Sequence, residues 1–238
     1  MRKVLIDLIC FPHAGGSSVS FNHWKKIMPE WISINTVELQ GRGSKIKEPL
    51  FNNFESVESY ILRSLGNIIR PDIPFAFYGH SLGALIAFES AKSIGMVYDR
   101  EPKHVFLSGC LPPHLVRKQK KISILPDEPF LKTLKLFGGL PEQILENKDI
   151  LQLFLPIIRS DFEVYDSYNR SSLVPLNINT TILFANEDLC TGQYNVNEWS
   201  RYFSKEIRYQ EFEGDHFFTV KEAEKVVKLI ENTLSTIF

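Results

Sequence analysis

The sequence has few cysteines, no long apolar run and no excess of either charge. Only three of its 238 residues are cysteines (Cys10, Cys110 and Cys190), and they form no C-x-x-C pair, so neither a disulfide framework nor a zinc site is indicated. Such sparse use of cysteine is typical of a reducing compartment. No apolar run approaches the roughly 20 residues that cross a bilayer. The 27 basic residues are balanced by 28 acidic ones, which gives no support for nonspecific DNA binding, since that needs a broad excess of Lys and Arg.

The first eleven residues, M-R-K-V-L-I-D-L-I-C-F, superficially resemble a signal peptide. Asp7 interrupts the apolar stretch, however, and no small-x-small cleavage site follows it. We therefore expect a buried first strand and a cytoplasmic protein that associates with neither membrane nor nucleic acid. The remaining composition, 44% hydrophobic and 12% aromatic, is that of a globular chain long enough to bury a substantial core.

Short β-branched and aromatic runs alternate along the chain with longer segments of helical periodicity. This alternation is typical of an α/β protein in which helices cover a mostly parallel sheet, and we expect a single domain over residues 1–238. The predicted strands are 4–11, 32–39, 74–78, 104–109, 180–185 and 207–212, and the predicted helices are 54–69, 82–94 and 220–234.

One interval, residues 111–179, is too long for this alternation, because a simple crossover needs only about 12 to 30 residues. Its apolar residues have helical spacing, which predicts an inserted helical cap. A cap above a substrate pocket is favoured, because insertions in open parallel sheets gather where ligands bind. The alternative is a second small core with no role in binding. The spaced residues are Phe130, Leu131, Leu134 and Phe137, then Ile150, Leu151, Phe154, Leu155 and Ile158.

Residues 79–83, G-H-S-L-G, match the pattern G-x-S-x-G between a predicted strand and a predicted helix. This is the strand–turn–helix setting of the nucleophile elbow in α/β-hydrolases, where glycines on both sides avoid clashes with the adjoining strand and helix. The pattern predicts that Ser81 is a nucleophile at a helix N-terminus, where the partial positive charge favours a developing anion. The alternative is an ordinary strand–helix turn.

A serine nucleophile needs a general base, and in this fold the chain order is serine, then an acid, then histidine. Three histidines follow Ser81. His104 begins a predicted strand and His114 opens the cap, whereas His216 lies in the loop between the last predicted strand and the closing helix. We therefore predict that His216 is the base.

The acid should follow a strand end and precede His216. The strand ending at residue 109 runs into C-L-P-P, which has no carboxylate, whereas the next strand runs into N-E-D. Asp188 is preferred to Glu187, since it leaves more chain for the turn that brings the carboxylate round. Asp215 adjoins His216 and is expected to point elsewhere.

Acyl transfer also requires donors for the oxyanion of the tetrahedral intermediate. One is the backbone N–H of Leu82, which follows the nucleophile. The second should come from the loop after the first strand, where Ala14 N–H is preferred and His13 N–H is the alternative. The same loop also has a plainer interpretation as a tight turn whose glycines adopt positive φ.

Six short segments together resemble the type II thioesterases, the free-standing editing hydrolases of nonribosomal peptide and polyketide synthesis. They are residues 11–16 (F-P-H-A-G-G), 79–83 (G-H-S-L-G), 214–218 (G-D-H-F-F), and, in the cap, 125–127 (L-P-D), 138–141 (G-G-L-P) and 155–162 (L-P-I-I-R-S-D-F).

The resemblance implies an α/β-hydrolase fold and hydrolysis of misprimed or stalled acyl groups from the phosphopantetheine arm of carrier proteins. Ser81, Asp188 and His216 match the family's nucleophile, acid and base. No metal or organic cofactor is implied, because the prosthetic arm belongs to the partner. A general acyl-CoA thioesterase or small carboxylesterase, an acyl transferase with an acceptor other than water, and a non-catalytic acyl-binding protein are the alternatives.

Carrier proteins of this kind are acidic, so the resemblance also implies a basic docking face and a transient complex. Residues 117–121, R-K-Q-K-K, place four positive charges in five positions at the start of the cap. This basic run could steer a carrier protein, or it could be a solvated charged face. We expect the protein itself to be a monomer.

Overall fold

The computed structural model describes residues 4–139, 147–170, 173–191 and 196–238. Within these ranges six strands form one sheet, all parallel, in the order β2-β1-β3-β4-β5-β6. The strands are β1 (Ile6–Phe11), β2 (Ile32–Thr36), β3 (Phe75–His80), β4 (Val105–Ser108), β5 (Thr180–Ala185) and β6 (Ile207–Phe212). The prediction of a mostly parallel α/β sheet is confirmed.

The helices of the described ranges are α1 (Trp24–Ile27), α2 (Phe54–Ile68), α3 (Leu82–Tyr98), α4 (Pro113–Val116), α5 (Asp127–Leu136), α6 (Lys148–Ser167), α7 (Phe218–Lys221) and α8 (Ala223–Ser235). The predicted closing helix 220–234 is thus two helices, since the backbone leaves the helical region at Glu222. None of the described helices is both long and apolar enough to span a bilayer.

Both faces of the sheet are covered, so its central strands are buried along their whole length. In β1 the side chains alternate: Ile9 and Phe11 belong to the core under α2 and α3, whereas Leu8 and Cys10 belong to the core under α1 and α8. Helix α3 is buried at each residue from Leu82 to Ala91, which explains why it is apolar on most faces.

Helix α2 begins at a capped end and packs one apolar face on the sheet. The Asn53 side chain accepts a hydrogen bond from the Ser56 N–H at 2.9 Å, which satisfies one of the free amides of the first turn. Val57, Ile61 and Leu65 are fully buried at helical spacing, as the sequence predicts.

Helices α5 and α6 lie in the interval predicted as the cap, and we call them the lid. They share a small core of Phe130, Leu134 and Ile158, separate from the two cores of the sheet. The C-terminal half of α6 is tied to the body of the protein, since Ser160 Oγ donates to the Phe51 carbonyl and Ser167 Oγ accepts from the Phe54 N–H. Leu140 and Pro141 of the resemblance lie outside the described residues.

Candidate active site

Ser81 occupies a sharp turn between β3 and α3. Its backbone has φ 56° and ψ −119°, a strained region for a residue other than glycine, and its N–H donates to the Ser108 carbonyl at 2.8 Å. A Cβ at Gly79 would overlap the Gly83 carbonyl, and a Cβ at Gly83 would overlap the Phe11 carbonyl. The chain passes so close to itself at this turn that both flanking positions require glycine.

The end of β5 and the loop after β6 bring Asp188 and His216 together. His216 Nδ1 lies 2.9 Å from Asp188 Oδ2, and the carboxylate is fully buried. It also accepts hydrogen bonds from Thr191 Oγ1 at 2.7 Å and from the Cys190 N–H at 2.8 Å. Burial opposes ionisation of Asp188, but the hydrogen bonds from His216, Thr191 and Cys190 outweigh it and hold its pKa below the usual value.

The other candidates for the acid and base lie elsewhere. Glu187 is exposed, and Asp215 Oδ2 is paired with Lys221 Nζ at 2.7 Å. His104 Nε2 lies 2.9 Å from Thr181 Oγ1, at the opposite end of β4 from Ser81, and His114 contacts the Tyr202 hydroxyl at 3.1 Å. Among these alternatives, the structure therefore pairs Asp188, rather than Glu187 or Asp215, with His216.

Two further histidines, His80 and His13, lie on the same side of the site as His216, and the sequence predicted no such cluster. The His80 ring lies 4.9 Å from the His216 ring, and the His13 ring lies 6.0 Å from the His80 ring. Burial, assisted by the charges of His216 and Arg42, lowers the pKa of His13 to about 4, and burial holds the pKa of His80 well below 6.5. Both neighbours are therefore neutral near pH 7 and add no positive charge beside His216.

The loop of residues 13–16, which we call the oxyanion loop, follows β1. The Gly15 N–H donates to Asp161 Oδ2 at 2.6 Å and the Gly16 N–H donates to the His13 carbonyl at 2.9 Å, so neither amide is available to a ligand. The His13 and Ala14 amides donate to no acceptor among the described residues. The N–H groups of Ala14 and His13, the preferred and the alternative oxyanion donor of the prediction, are therefore both available to a ligand.

A cavity of about 140 Å³ joins these groups. Ser81, Leu82, His216 and Ala14 line it from the side of the sheet. The lid contributes a mainly apolar wall that includes Leu134, Phe137, Ile158 and Phe162, while Gln119 and Lys120 of the basic run also line the cavity. Apolar walls with a few convergent polar groups suit an acyl chain joined to a polar reacting centre.

The only His, Cys, Asp and Glu cluster in the described ranges with potential for metal binding is Asp188, Cys190 and His216, whose candidate ligand atoms lie within 4.8 Å of one another. Asp188 Oδ2 and His216 Nδ1 already bond to each other, and burial next to the Asp188 charge raises the pKa of the Cys190 thiol. A protonated thiol is a poor metal ligand. The cluster is better suited to hold a proton between Asp188 and His216.

The parallel sheet, the strained serine elbow and the Asp–His pair at the strand ends define the class: the protein is an α/β-hydrolase. Residues 7–234 match the thioesterase domain family, so the chain belongs to that family and is a thioesterase, as predicted.

Relatives of the whole chain come from biosynthetic pathways. Linear gramicidin dehydrogenase LgrE of Brevibacillus parabrevis is 34% identical, the alignment covering 96% of this chain and 88% of LgrE. The medium-chain S-acyl fatty acid synthase thioesterase of Rattus norvegicus is 31% identical, with 91% and 82% covered. The solved structure of YbtT, the type II thioesterase of the yersiniabactin pathway, superposes with a TM-score of 0.83 at 27% identity, covering 96% of this chain and 92% of YbtT.

The name of LgrE refers to a dehydrogenase, but this chain lacks the loop that such a name would imply. Dinucleotide-binding loops carry G-x-G-x-x-G after the first strand, whereas the segment after β1 here is P-H-A-G-G-S. The sequence contains no G-x-G-x-x-G elsewhere.

Proposed function

We propose that the protein hydrolyses acyl thioesters carried on the phosphopantetheine arm of carrier proteins, with Ser81, His216 and Asp188 as its catalytic residues. The observation that carries the proposal is the 2.9 Å pair of Asp188 and His216, whose histidine lines one cavity with a strained Ser81 in a chain of the thioesterase family. The names of its relatives, which include a type II thioesterase, support the carrier-bound substrate.

The proposed reaction has two halves. His216 Nε2 accepts the Ser81 proton as Ser81 Oγ attacks the thioester carbonyl carbon, and the C–S bond then breaks while the imidazolium returns the proton to the leaving sulfur. In the second half His216 takes a proton from water as the water oxygen attacks the acyl carbon. The bond from that carbon to Ser81 Oγ then breaks, the imidazolium returns the proton to Oγ, and the acid leaves. Asp188 holds Nδ1–H in place and stabilises the imidazolium that forms in each half.

The oxyanion of each tetrahedral intermediate is proposed to bind the amides of Ala14 and Leu82. Both residues line the cavity beside Ser81, and the neighbouring Gly15 and Gly16 amides are already occupied. Leu82 is also the first residue of α3, where the helix dipole favours negative charge. These donors need no metal or organic cofactor, which remains our prediction.

The lid and the basic run support the proposed substrate, an acyl group on a carrier protein. Its apolar wall would receive the acyl chain, and the exposed basic run borders the cavity at Lys120, where the anionic arm and an acidic carrier would arrive. We further propose that the complex is transient, that the enzyme acts as a cytoplasmic monomer, and that it edits carriers blocked by a wrong acyl group.

The test compares one acyl group, acetyl, on a phosphopantetheinylated carrier protein and on coenzyme A. Wild type is expected to show a higher kcat/KM on the carrier, Ser81→Ala to lose more than about 10³-fold in kcat, and Asp188→Asn to lose roughly 10³- to 10⁴-fold because the imidazole tautomer is no longer fixed. Thermal unfolding of each variant checks that the fold is intact.

Either of two results would contradict the proposal. Equal kcat/KM values on the carrier and on coenzyme A would indicate a general acyl-CoA thioesterase. Turnover by Ser81→Ala at the wild-type rate would show that the nucleophile is another group.

A further inference from the structure

A buried ion pair links the lid to the oxyanion loop. Arg42 and Asp161 are 3% and 2% exposed, and they meet through two parallel hydrogen bonds: Nη1 to Oδ2 at 2.5 Å and Nη2 to Oδ1 at 2.6 Å. Arg42 lies in the loop after β2, and Asp161 lies on α6, so residues 119 positions apart in sequence are held in one fixed geometry.

Both members of the pair also bind the backbone of the oxyanion loop. Asp161 Oδ2 accepts the Gly15 N–H at 2.6 Å, and Arg42 Nη1 donates to the Gly16 carbonyl at 3.3 Å. These bonds hold the Ala14–Gly15 and Gly16–Ser17 peptide units, on either side of the Gly16 N–H that donates to the His13 carbonyl. The direction of the Ala14 amide is thus fixed by its neighbours rather than by a bond of its own.

Packing also holds the oxyanion loop against α6. Gly15 has φ +77°, and a Cβ there would lie 2.7 Å from Ile158 Cγ1 on α6, so the loop backbone is pressed against the helix. Pro156, which has no N–H to donate, separates the first part of α6 from this second part, where Ser160 and Ser167 bind the body of the protein. The part of α6 that meets the loop is therefore its anchored part.

Stability alone is a weak reason for such a pair. Removing two charges from water has a large cost in free energy, and apolar residues of similar volume are often equally stabilising. What apolar residues would not supply is an acceptor for the Gly15 N–H and a donor for the Gly16 carbonyl.

We infer that Arg42 and Asp161 are positioning residues for acyl transfer, which act by setting the oxyanion loop against the anchored part of α6. The inference rests on the proposed function, because it needs Ser81 as nucleophile and an amide of the loop as oxyanion donor. Its consequence is that the pair stabilises the transition state without touching the substrate.

The test uses the acetyl thioester of N-acetylcysteamine, which needs no carrier protein, together with Arg42→Lys and the double variant Arg42→Met/Asp161→Leu. The double variant leaves no buried charge unpaired, so it keeps the fold while removing the acceptor of the Gly15 N–H. The matched control is Arg70→Lys, because Arg70 forms the same kind of fork on a buried carboxylate, Asp7, at the opposite end of β1 (2.9 and 2.6 Å).

Arg42→Lys and the double variant are expected to lose roughly 10- to 100-fold in kcat while KM stays within about twofold, since a displaced oxyanion donor weakens only the transition state. The Ki of an alkyl trifluoromethyl ketone, which forms a tetrahedral oxyanion on the serine, should rise by the same factor. Arg70→Lys should keep both values within about twofold.

Wild-type kcat in the folded double variant would overturn the inference, and so would equal losses of kcat in Arg42→Lys and Arg70→Lys. A change in KM with no change in the inhibitor's Ki would also overturn it. If wild type is no faster than Ser81→Ala, the proposed function fails first and the inference falls with it, so the two failures are distinguishable.

Discussion

The two walls of the cavity are built in different ways. The wall at the strand ends carries Ser81, Asp188 and His216, and its carboxylate is fully buried among three hydrogen-bond donors. The wall formed by the lid is apolar where it faces the cavity. Its opposite surface faces solvent, where Leu136 is 61% exposed and Leu153 is 56% exposed. The first wall fixes the geometry of the reacting groups, whereas the second exposes a surface that a partner protein can contact.

The apolar cores that support the two walls also differ, in size. The reacting groups rest on the two cores of the sheet. Among the residues that the structure describes, α5 and the middle of α6 meet in the small cluster of Phe130, Leu134 and Ile158, and α6 reaches a core of the sheet further along, at Val164. Segments with few buried apolar contacts open at a lower free energy than the sheet beneath them. The comparison therefore predicts that substitutions in the first wall alter stability and chemistry, and that substitutions on the outside of the lid alter recognition alone.

The largest effect, a loss of stability, is expected at Gly83, where the backbone of the serine turn packs most closely against β1. In Gly83→Ala the new Cβ meets the Phe11 carbonyl, and because the clash involves backbone atoms on both sides, the free energy of unfolding should fall by about 2 to 4 kcal/mol. Urea unfolding followed by circular dichroism measures the change.

Gly95→Ala is the matched control, because Gly95 lies in the same helix and an added Cβ there has ordinary contacts of 3.5 Å or more, to Glu101. It should stabilise the protein by about 0.5 to 1 kcal/mol through helix propensity. Equal effects of the two substitutions would show that the elbow is not specially constrained.

The sequence was sufficient to predict the elbow because its constraints are local. The pattern G-x-S-x-G between an apolar strand and a helix contains both the strained serine and the glycines that the close approach requires. The six strands were predicted for a similar reason, since each is a short apolar run bounded by turns, and the differences lie at the ends, such as β2, which ends at Thr36 rather than at residue 39.

A smaller effect is expected in the dependence of stability on pH. His13 has a pKa of about 4 when folded and about 6.5 when unfolded, so between these values the unfolded chain binds a proton that the folded chain does not. Stability from this group is therefore present above pH 6.5 and is lost as the pH falls toward 4, with a slope of at most about 1.4 kcal/mol per pH unit.

His13→Gln should reduce the slope of unfolding free energy against pH between 6.5 and 4, measured by urea denaturation at half-unit steps. His23→Gln, at an exposed histidine near α1, should leave the slope as in wild type. A slope unchanged by His13→Gln would mean that His13 is protonated equally in the folded and unfolded chains.

The cluster of His13, His80 and His216 and the Arg42–Asp161 link could not be predicted from the sequence. His13 and His80 are 67 positions apart, and Arg42 and Asp161 are 119 apart, so only the folded chain brings each pair together. Arg42 lies in the segment G-R-G after the second strand, and Asp161 lies in the segment R-S-D of the lid. A single sequence gives no indication that these two segments meet.

The smallest effect is expected at the basic run, which borders the cavity next to the lid and where we expect a change in recognition without a change in chemistry. Lys118→Glu/Lys121→Glu reverses two exposed charges of the basic run, and should raise KM for an acidic acyl-carrier protein by roughly 3- to 10-fold at low salt while kcat is unchanged. Because exposed charges are screened, the difference should largely disappear at about 0.5 M salt.

The double variant Lys25→Glu/Lys26→Glu separates local steering from net charge, because it changes the charge by the same amount on α1, which packs against α8. Its KM should stay near the wild-type value if the basic run is the site of approach. The acetyl thioester of N-acetylcysteamine, which is small and uncharged, should be hydrolysed equally by all three proteins. Equal rises in KM for both double variants would assign the effect to the field of the whole protein, and the basic run would then be a solvated surface with no part in docking.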